Sequence, residues 1–435
     1  MSTLAIGFLG IVIMVVLMVM RMHIGFTMAV VGFVGIYIIT GDWYIAFHTL
    51  GAEPYSSVAT FLLIAVPLFT LMGRFAFHSG ISKDLYDTAS IWLRHLPGGL
   101  AVATVGACAL FSAVSGSSLA AAASMGAIAV PEMLRHRIDP RMATGVVAAG
   151  GTLGIMIPPS LGFIIYGLIA EESIGTLLIA GILPGIILAI SFMLVVVLWA
   201  TISPAAAERQ EPASWRERFR SLYGVWGILA LFMLVMGGIY GGFMTPTEAA
   251  AIGASGSLVL LVLRKGWSFP EISESLRETT SITAMVFLIL IGAHIFNVFL
   301  ALSRVPTFIT DFVIALQVSP ILILLVIFVG YVILGCFLDT LAMIVLTVPI
   351  LLPAIQAMGY DPIWFGVMIV MVMEMGMITP PVGMIVYVIK GVVPSIELRQ
   401  IFQGVWPFVV AQVAILMLFL FWPEITLWLP NLMRS

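Results

Sequence analysis

Residues 375–384 read "MGMITPPVGM", which places two adjacent prolines and two glycines inside one of the most apolar stretches of the chain. A proline removes a backbone hydrogen-bond donor and clashes with the preceding helical turn. At membrane depth such a break is tolerated only where the freed backbone groups find other partners. The stretch therefore predicts a broken membrane helix whose free carbonyl groups serve a purpose.

The composition of the whole chain indicates a polytopic membrane protein. Of 435 residues, 62% are hydrophobic and 9% are charged, whereas an ordinary soluble domain has about 25% charged residues. The formal net charge of −3 is small and does not point to a nucleic-acid partner. Cys108 and Cys336 lie far apart in apolar segments, so we expect two small buried side chains and no metal or disulfide framework. The lipid bilayer is the partner that the composition itself implies.

The apolar segments predict an all-α protein with about ten transmembrane helices, because a bilayer core needs about 20 apolar residues per helix. The predicted spans are 3–20, 24–40, 57–78, 142–169, 176–202, 224–242, 247–263, 281–303, 363–389 and 405–428. Two further apolar segments, 98–133 and 321–356, are interrupted midway by small or polar residues. Each of these could form one strained span, two short spans or a re-entrant helical hairpin.

The positions of lysine and arginine favour the two hairpins, since cytoplasmic loops collect these residues. With two hairpins and an external N-terminus, all 18 Lys and Arg residues except Arg304 and Arg434 fall on the cytoplasmic side, including Arg209. The first hairpin is then expected to open to the cytoplasm and the second to the outside. The basic segment 208–220, "ERQEPASWRERFR", is expected to lie at the lipid surface.

An internal repeat relates the two halves of the chain at a constant offset of 222 residues, as between Gly154 and Gly376. The matched pairs are Pro131 with Pro353, Asp139-Pro140 with Asp361-Pro362, Pro158-Pro159 with Pro380-Pro381, and Ser117-Ser118 with Asp339-Thr340. The charge distribution places the two copies in opposite orientations. Inverted repeats with broken helices are typical of secondary transporters, whose substrate and ion sites lie near the bilayer midplane.

Two oxygen-rich clusters are predicted where a hairpin tip meets a proline break. Neutral or singly charged oxygen ligands, with no nitrogen or sulfur among them, suit a small hard cation, and sodium is the natural occupant. The first predicted sodium site contains Ser115, Ser117, Ser118, Gly151, Thr152 and Pro158, and the second contains Asp339, Thr340, Glu374, Gly376 and Thr379. Substrate contacts are assigned to Ser117, Pro159, Ser160, Pro381 and Gly383. We expect no cofactor other than sodium as the coupling ion.

Other interpretations of these residues remain open at this point. Small residues such as those of "SGSS" pack helices together in many membrane proteins, and Asp339 or Glu374 could pair with a backbone donor for structural reasons alone. An enzyme is not expected, because neither a His-Glu-x-x-His motif nor a convincing pair of matched aspartates occurs. A channel would not need two inverted halves with cation-type sites.

The sequence resembles the large membrane subunit (DctM type) of tripartite ATP-independent periplasmic (TRAP) transporters, within the ion-transporter superfamily. The motifs that carry the resemblance are "SAVSGSSLAAAASMGAIAVPEM", "GGTLGIMIPPS", "GILPG", "TPTEAAAIGA", "FLDTLAMIVLTVPILLP" and "MGMITPPVG". The resemblance implies a sodium-driven elevator carrier in the bacterial inner membrane. It also implies three partners: a separate four-helix small membrane subunit, a periplasmic substrate-binding protein, and an organic acid such as a sialic acid or a dicarboxylate. A stand-alone sodium-coupled carboxylate carrier without a binding protein is the alternative.

In such a carrier, a transport domain that holds both hairpins slides against a scaffold. The expected division is scaffold helices in 1–97, a first transport repeat in 98–202, scaffold helices and a connecting arm in 203–304, a second transport repeat in 305–404, and a C-terminal helix in 405–435.

Overall fold

The computed structural model describes residues 2–206 and 211–434, and within these ranges the chain forms helices and no strand. Arg209, which the charge distribution assigns to the cytoplasmic side, lies outside the described residues. The all-helical class predicted from the sequence is confirmed.

The first half of the described chain consists of α1 Thr3–Val19, α2 Ile24–Thr40, α3 Trp43–Val58, α4 Ala65–His78, α5 Ile81–Leu93, α6 Gly99–Ser115, α7 Ser118–Arg135, α8 Pro140–Met156, α9 Leu161–Ala170 and α10 Ile174–Ile202. The second half consists of α11 Trp215–Tyr240, α12 Pro246–Lys265, α13 Phe269–Ser303, α14 Val305–Ala315, α15 Pro320–Gly335, α16 Thr340–Ala357, α17 Pro362–Ile378, α18 Met384–Val392, α19 Leu398–Phe421 and α20 Glu424–Arg434. Short 3-10 helices occupy Phe61–Ile64 and Pro204–Ala206.

Helices that could cross a membrane occur throughout the described chain. Seven helical segments are long and apolar enough to cross a bilayer, and the bent pair of α8 and α9 makes an eighth. The seven are Phe61–His78, α10, α11, α12, α13, α16 and α19. Other apolar helices, among them α1, α2 and α17, have 10 to 17 residues. The protein is therefore a polytopic membrane protein, as its composition predicts.

Both proline pairs break a helix. The axes of α8 and α9 differ by 42° across the first break, and α17 and α18 are separated by residues 379–383 at the second. The peptide bonds Pro158-Pro159 and Pro380-Pro381 are both cis. The repeat seen in the sequence is thus also a repeat of structure.

The two interrupted segments form the predicted helical hairpins. In the first, Thr104 of α6 lies opposite Met133 of α7, with 3.7 Å between the threonine Oγ1 and the methionine Sδ. In the second, Tyr331 of α15 and Thr347 of α16 share a hydrogen bond of 2.7 Å. Each contact joins residues on either side of a tip, so the two arms of each hairpin run back along one another.

Residues related by the 222-residue offset play the same local roles. Asp139 accepts a hydrogen bond from the Arg141 backbone at 2.8 Å and so caps α8, and Asp361 caps α17 in the same way. Ser117 caps α7 and Asp339 caps α16. Each cap satisfies a backbone N–H that the first helical turn leaves without a partner. The cap residues therefore fix where each helix begins in both repeats.

Several helices differ from the sequence-based prediction. Helices α3 and α5 are not among the predicted spans, because polar residues interrupt both and neither contains a stretch of about 20 apolar residues. The predicted span 405–428 is two helices, because α19 ends at Phe421, before Pro423. The last residues of the basic segment 208–220 form the first turns of α11.

The inverted topology can be tested with cysteines at positions related by the repeat offset. Arg135 ends α7 and Ala357 ends α16, and both are exposed. Because the charge distribution assigns the two hairpins to opposite faces, we expect a membrane-impermeant maleimide to label Ala357→Cys in spheroplasts and Arg135→Cys only in inverted vesicles. The native Cys108 and Cys336 are 0% and 2% exposed and should contribute little background. Labelling of both variants from one side would exclude the inverted arrangement.

Candidate functional site

A cavity of about 640 Å³ lies where the tips of the two hairpins come together. The first tip contributes Ser115, Gly116, Ser117 and Ser118 to the cavity wall, and the second contributes Asp339 and Thr340. Glu374 of α17 also lines it. Residues more than 200 positions apart in the chain thus form one site.

A second part of the cavity wall comes from α4, from α5, from the turn between them and from α13. It includes Thr70, Gly73, Arg74, Lys83, Ile282 and Met285. Arg74 also lies 3.3 Å from Glu278 of α13 in an ion pair, so two of these elements are joined beside the cavity. The cavity therefore separates the hairpins from a second group of helices.

At the second tip, a carboxylate is held in place while part of it remains available to the cavity. Asp339 Oδ1 accepts a hydrogen bond of 2.8 Å from the Ala342 backbone N–H. The adjacent Thr340 hydroxyl donates a hydrogen bond of 2.7 Å to Glu374 Oε1. The second tip is thus tied to α17 through one hydroxyl and one carboxyl group.

At the first tip, buried hydroxyl groups have no hydrogen-bond partner among the described residues. Ser115 Oγ and Ser118 Oγ are both in this state, and so is Glu374 Oε2. Ser118 faces the Glu374 carboxyl group closely enough to interact with it, although the pair does not meet the geometry of a hydrogen bond. Buried polar atoms without partners are costly, so their concentration around one cavity indicates a binding site for a polar or charged ligand.

Glu374 connects the two repeats. The residues that approach its carboxyl group, Ser118 and Thr340, are related by the 222-residue offset. Glu374 itself is 1% exposed. Its own counterpart in the first repeat is Thr152, whose hydroxyl donates to the Ala149 carbonyl of the same helix at 2.6 Å. The Glu374 carboxyl group therefore has no equivalent in the first repeat, yet it lies close to residues of both repeats.

Each hairpin tip lies against a proline break, as the sequence predicts. A Cβ atom on Gly116 would lie 2.8 Å from the Pro159 carbonyl oxygen, and Cys336 Sγ lies 3.4 Å from the Pro380 carbonyl oxygen. Gly154 has the Ser117 carbonyl oxygen 2.7 Å from the position of a Cβ atom. Glycine at positions 116 and 154 is what allows the tip and the break to approach so closely.

The structure brings only part of each predicted sodium site to the cavity wall. Gly151 packs against Ala122 of α7, Gly376 packs against Gly335, and the Thr379 hydroxyl donates to the Met375 carbonyl at 2.6 Å. These residues, together with Thr152 and Pro158, do not line the cavity, and their assignment to sodium stays a prediction.

The predicted substrate contacts are divided in a similar way. Ser117 lines the cavity, whereas Pro159, Ser160, Pro381 and Gly383 do not. Ser160 Oγ accepts a hydrogen bond from the Phe163 backbone and caps α9, and Pro381 is exposed. Gly383 has a φ of +63° and is the N-cap residue of α18, so it holds a left-handed backbone conformation that glycine adopts without strain. These assignments remain predictions.

The sequence patterns predict none of the cavity residues that come from α4 and α5. Arg74 and Lys83 indicate topology in the sequence, and in the structure they are cationic residues that line the cavity. Gly73 belongs to the same wall. Its Cβ position lies 3.0 Å from the carbonyl oxygens of Val114 and Ser115, so α4 touches the first tip directly. Only the fold brings α4 to this place, and no local pattern in the sequence marks it.

The side-chain oxygen atoms at the hairpin tips and Glu374 belong to hydroxyls and two carboxylates, and the Arg74 and Lys83 side chains also line the cavity. Among residues 2–206 and 211–434, no group of three or more His, Cys, Asp or Glu side chains could hold a metal ion. Such a donor set does not suit zinc or iron, which favour nitrogen and sulfur ligands. It suits a hard cation of low charge.

Comparison with known proteins identifies the family. The family model described as "Tripartite ATP-independent periplasmic transporter, DctM component" matches residues 11–425. The C4-dicarboxylate TRAP transporter large permease protein DctM of Pseudomonas aeruginosa is 35% identical over 386 residues, which cover 88% of this chain and 90% of that protein. The isethionate TRAP transporter permease protein DctMQ of Oleidesulfovibrio alaskensis is 34% identical over 381 residues, which cover 85% of this chain and 58% of that protein.

Among solved structures, the YdaH transporter of Alcanivorax borkumensis has a similar fold. The TM-score is 0.65 at 14% identity, and the match covers 86% of this chain and 88% of YdaH. At this identity the likeness concerns the fold alone.

Proposed function

The chain belongs to the family of the DctM component of tripartite ATP-independent periplasmic transporters, and from that premise we propose that it imports an organic acid together with sodium. It is a multi-pass membrane component of a transporter and not an enzyme. The observation that supports sodium coupling best is the cavity at which both hairpin tips meet, with unpaired hydroxyls and two carboxylates in or beside its wall.

Sodium fits this cavity for electrostatic reasons. Asp339 and Glu374 place two carboxyl groups at low dielectric, where unpaired negative charges are strongly disfavoured. The hydroxyls of Ser115, Ser118 and Thr340 supply neutral oxygen ligands. A bound monovalent cation would neutralise charge and satisfy the free oxygen atoms together. We therefore propose that the tip residues of both hairpins, with Glu374, hold the coupling ions.

Transport by an elevator motion is the second part of the proposal. The cavity lies between the two hairpins on one side and α4 with α13 on the other. We propose that the hairpins move as a transport domain against these helices. At this boundary the backbone of Gly73 approaches the Ser115 and Val114 carbonyls so closely that an added Cβ atom would lie 3.0 Å from their oxygen atoms, so a larger side chain there would obstruct movement.

A valine at position 73 tests the proposed sliding contact. Because the Cβ position of Gly73 is 3.0 Å from backbone oxygen atoms of the first tip, we expect Gly73→Val to reduce uptake by about tenfold or more, from a steric cost of about 1–3 kcal/mol. Gly237→Val is the matched control, since position 237 is also helical and has no atom within 4 Å of its Cβ position. Equal uptake by the two variants would argue against sliding at this contact.

The partners and the location follow from the family. We propose that the protein resides in the bacterial inner membrane, receives its substrate from a periplasmic binding protein and assembles with a separate four-helix small membrane subunit. The DctMQ relative supports the proposed small subunit. Residues aligned with this chain make up 58% of that permease, so the rest of its length lies outside the match. The stand-alone carrier is the less favoured alternative, because the named relatives are TRAP transporters.

The coupling ion is tested with the reconstituted complex in proteoliposomes. We expect uptake of a candidate acid, such as a C4-dicarboxylate, to require an inward sodium gradient and the loaded binding protein. Uptake should also rise with an inside-negative potential if sodium charges outnumber those of the substrate. Equal uptake in potassium with only a proton gradient would contradict sodium coupling, and uptake without the binding protein would favour the stand-alone alternative.

A further inference from the structure

We propose that the junction between the end of α5 and the first turns of α11 binds the phosphate group of an anionic phospholipid. The site is separate from the cavity and does not depend on sodium coupling. Its cationic residues are Arg94, just after α5, and Arg218 in α11, with His95 beside them. The two helices come from distant parts of the chain, so the fold builds this cluster.

The junction is fixed by hydrogen bonds between side chains of α5 and backbone groups of α11. Trp92 Nε1 donates to the Arg218 carbonyl at 3.2 Å, and the Thr88 hydroxyl donates to the Ser221 carbonyl at 3.1 Å. The Arg218 guanidinium lies 5.0 Å from the Trp215 ring centroid and 5.9 Å from that of Trp92. These contacts hold the cation between two indole rings.

The arginines of the junction have hydrogen-bond donors that no described group satisfies. Arg94 Nε and Arg218 Nε are both buried without a partner. The nearest carboxylate, Glu217, lies 3.7 Å from Arg94 Nη2. That carboxylate already accepts hydrogen bonds from the Ser214 backbone at 2.8 Å and the Ser214 hydroxyl at 3.1 Å, where it caps α11. An anion with several oxygen atoms would satisfy the free donors, and guanidinium groups bind phosphate particularly well.

The surroundings indicate that this anion belongs to a lipid. Four exposed aromatic residues follow one face of α11 as it enters its apolar length, namely Trp215, Phe219, Tyr223 and Trp226. Trp and Tyr are enriched at the level of the lipid headgroups. Arg216 and Arg220 add two further exposed cations, while Glu211 and Glu217 are the acidic residues within 211–220. The excess of arginine favours an anionic headgroup over a zwitterionic one.

The proposal is tested by thermal unfolding of the purified full chain in mixed micelles. The probes are phosphatidylglycerol and phosphatidylcholine with identical acyl chains, and sodium phosphate added without lipid. We expect phosphatidylglycerol to raise Tm by about 3 °C more than phosphatidylcholine, and this difference to disappear in Arg94→Gln/Arg218→Gln. Because the two lipids are compared within each variant, a lower stability of the variant itself does not change the difference in Tm between them.

A matched control separates this junction from general surface charge. Arg135→Gln/Arg277→Gln also removes two cations, but these side chains are 80% and 82% exposed and have partners within their own helices. We expect this control to retain the full difference between the lipids. An equal difference in the junction variant would overturn the proposal. Stabilisation by sodium phosphate as large as that by phosphatidylglycerol would show an anion site without lipid recognition, which also overturns it.

Discussion

Asp339→Asn is expected to lower the apparent sodium affinity of uptake strongly and to leave the folded protein intact. Asparagine caps a helix about as well as aspartate, so the bond from the Ala342 backbone N–H to position 339 should be kept. Only the negative charge at the cavity is lost. Interactions with a charged group contribute about 1.5–3 kcal/mol, so the apparent sodium affinity should fall by about 10- to 100-fold.

The control for Asp339 is the same substitution at a cap outside the cavity. Asp361→Asn changes the residue that caps α17 through bonds of 2.7 and 3.2 Å to backbone N–H groups. Sodium titrations of uptake and of thermal unfolding should match the unaltered protein for Asp361→Asn and should shift strongly for Asp339→Asn. If the two variants respond to sodium alike, Asp339 is only a structural cap.

Glu374→Gln is expected to remove the energetic coupling between sodium ions bound at the two hairpin tips. The amide oxygen can still accept the hydrogen bond from Thr340, which is 2.7 Å long with glutamate at this position, but the charge that Ser118 and Thr340 both face is removed. If one carboxylate serves ions held at both tips, binding at one tip depends on binding at the other. We expect the Hill coefficient for sodium to fall from about two to about one, with a tenfold or larger loss of uptake, about 1.4 kcal/mol or more.

A second buried polar residue provides the control for Glu374. Gln412 is 1% exposed and donates to the Met371 carbonyl at 2.8 Å, away from the cavity. Gln412→Leu should lower Tm and leave the sodium dependence unchanged. Glu374→Gln should leave Tm nearly unchanged and alter the sodium dependence. An unchanged Hill coefficient in Glu374→Gln, in a protein that still requires sodium, would limit Glu374 to a hydrogen-bonding role.

Much of the fold could be predicted because it rests on local chemistry. The helices break at Pro158-Pro159 and at Pro380-Pro381 regardless of the tertiary surroundings, since proline lacks the N–H that a continuous helix requires. The helix caps at Ser117 and Asp339 follow from side-chain type and position alone. The amphipathic α5 was missed because it packs within the protein and does not need a long apolar run.

The candidate site was predicted less completely, because proximity along the chain is a poor guide to which side chains face the same space. Thr152 and Thr379 are hydroxyl residues next to the breaks, yet both donate to carbonyl groups of their own helices. Arg74 was not predicted to be near the tips, since it lies in a separate helix. A hydroxyl in a helix has a local acceptor one turn away, so only packing decides whether it turns outward.

Four features of this protein follow from apolar length, proline chemistry and repeated residues: the membrane class, the two broken helices, the 222-residue repeat and the pairing of each hairpin with a proline break. Helix packing, in contrast, brings Ser118 and Thr340 to the same Glu374 carboxyl group and places α4, through Gly73, on the other side of the cavity. Side-chain direction and close backbone approach depend on how whole helices pack, and the packing partners here lie as much as hundreds of residues apart in the chain.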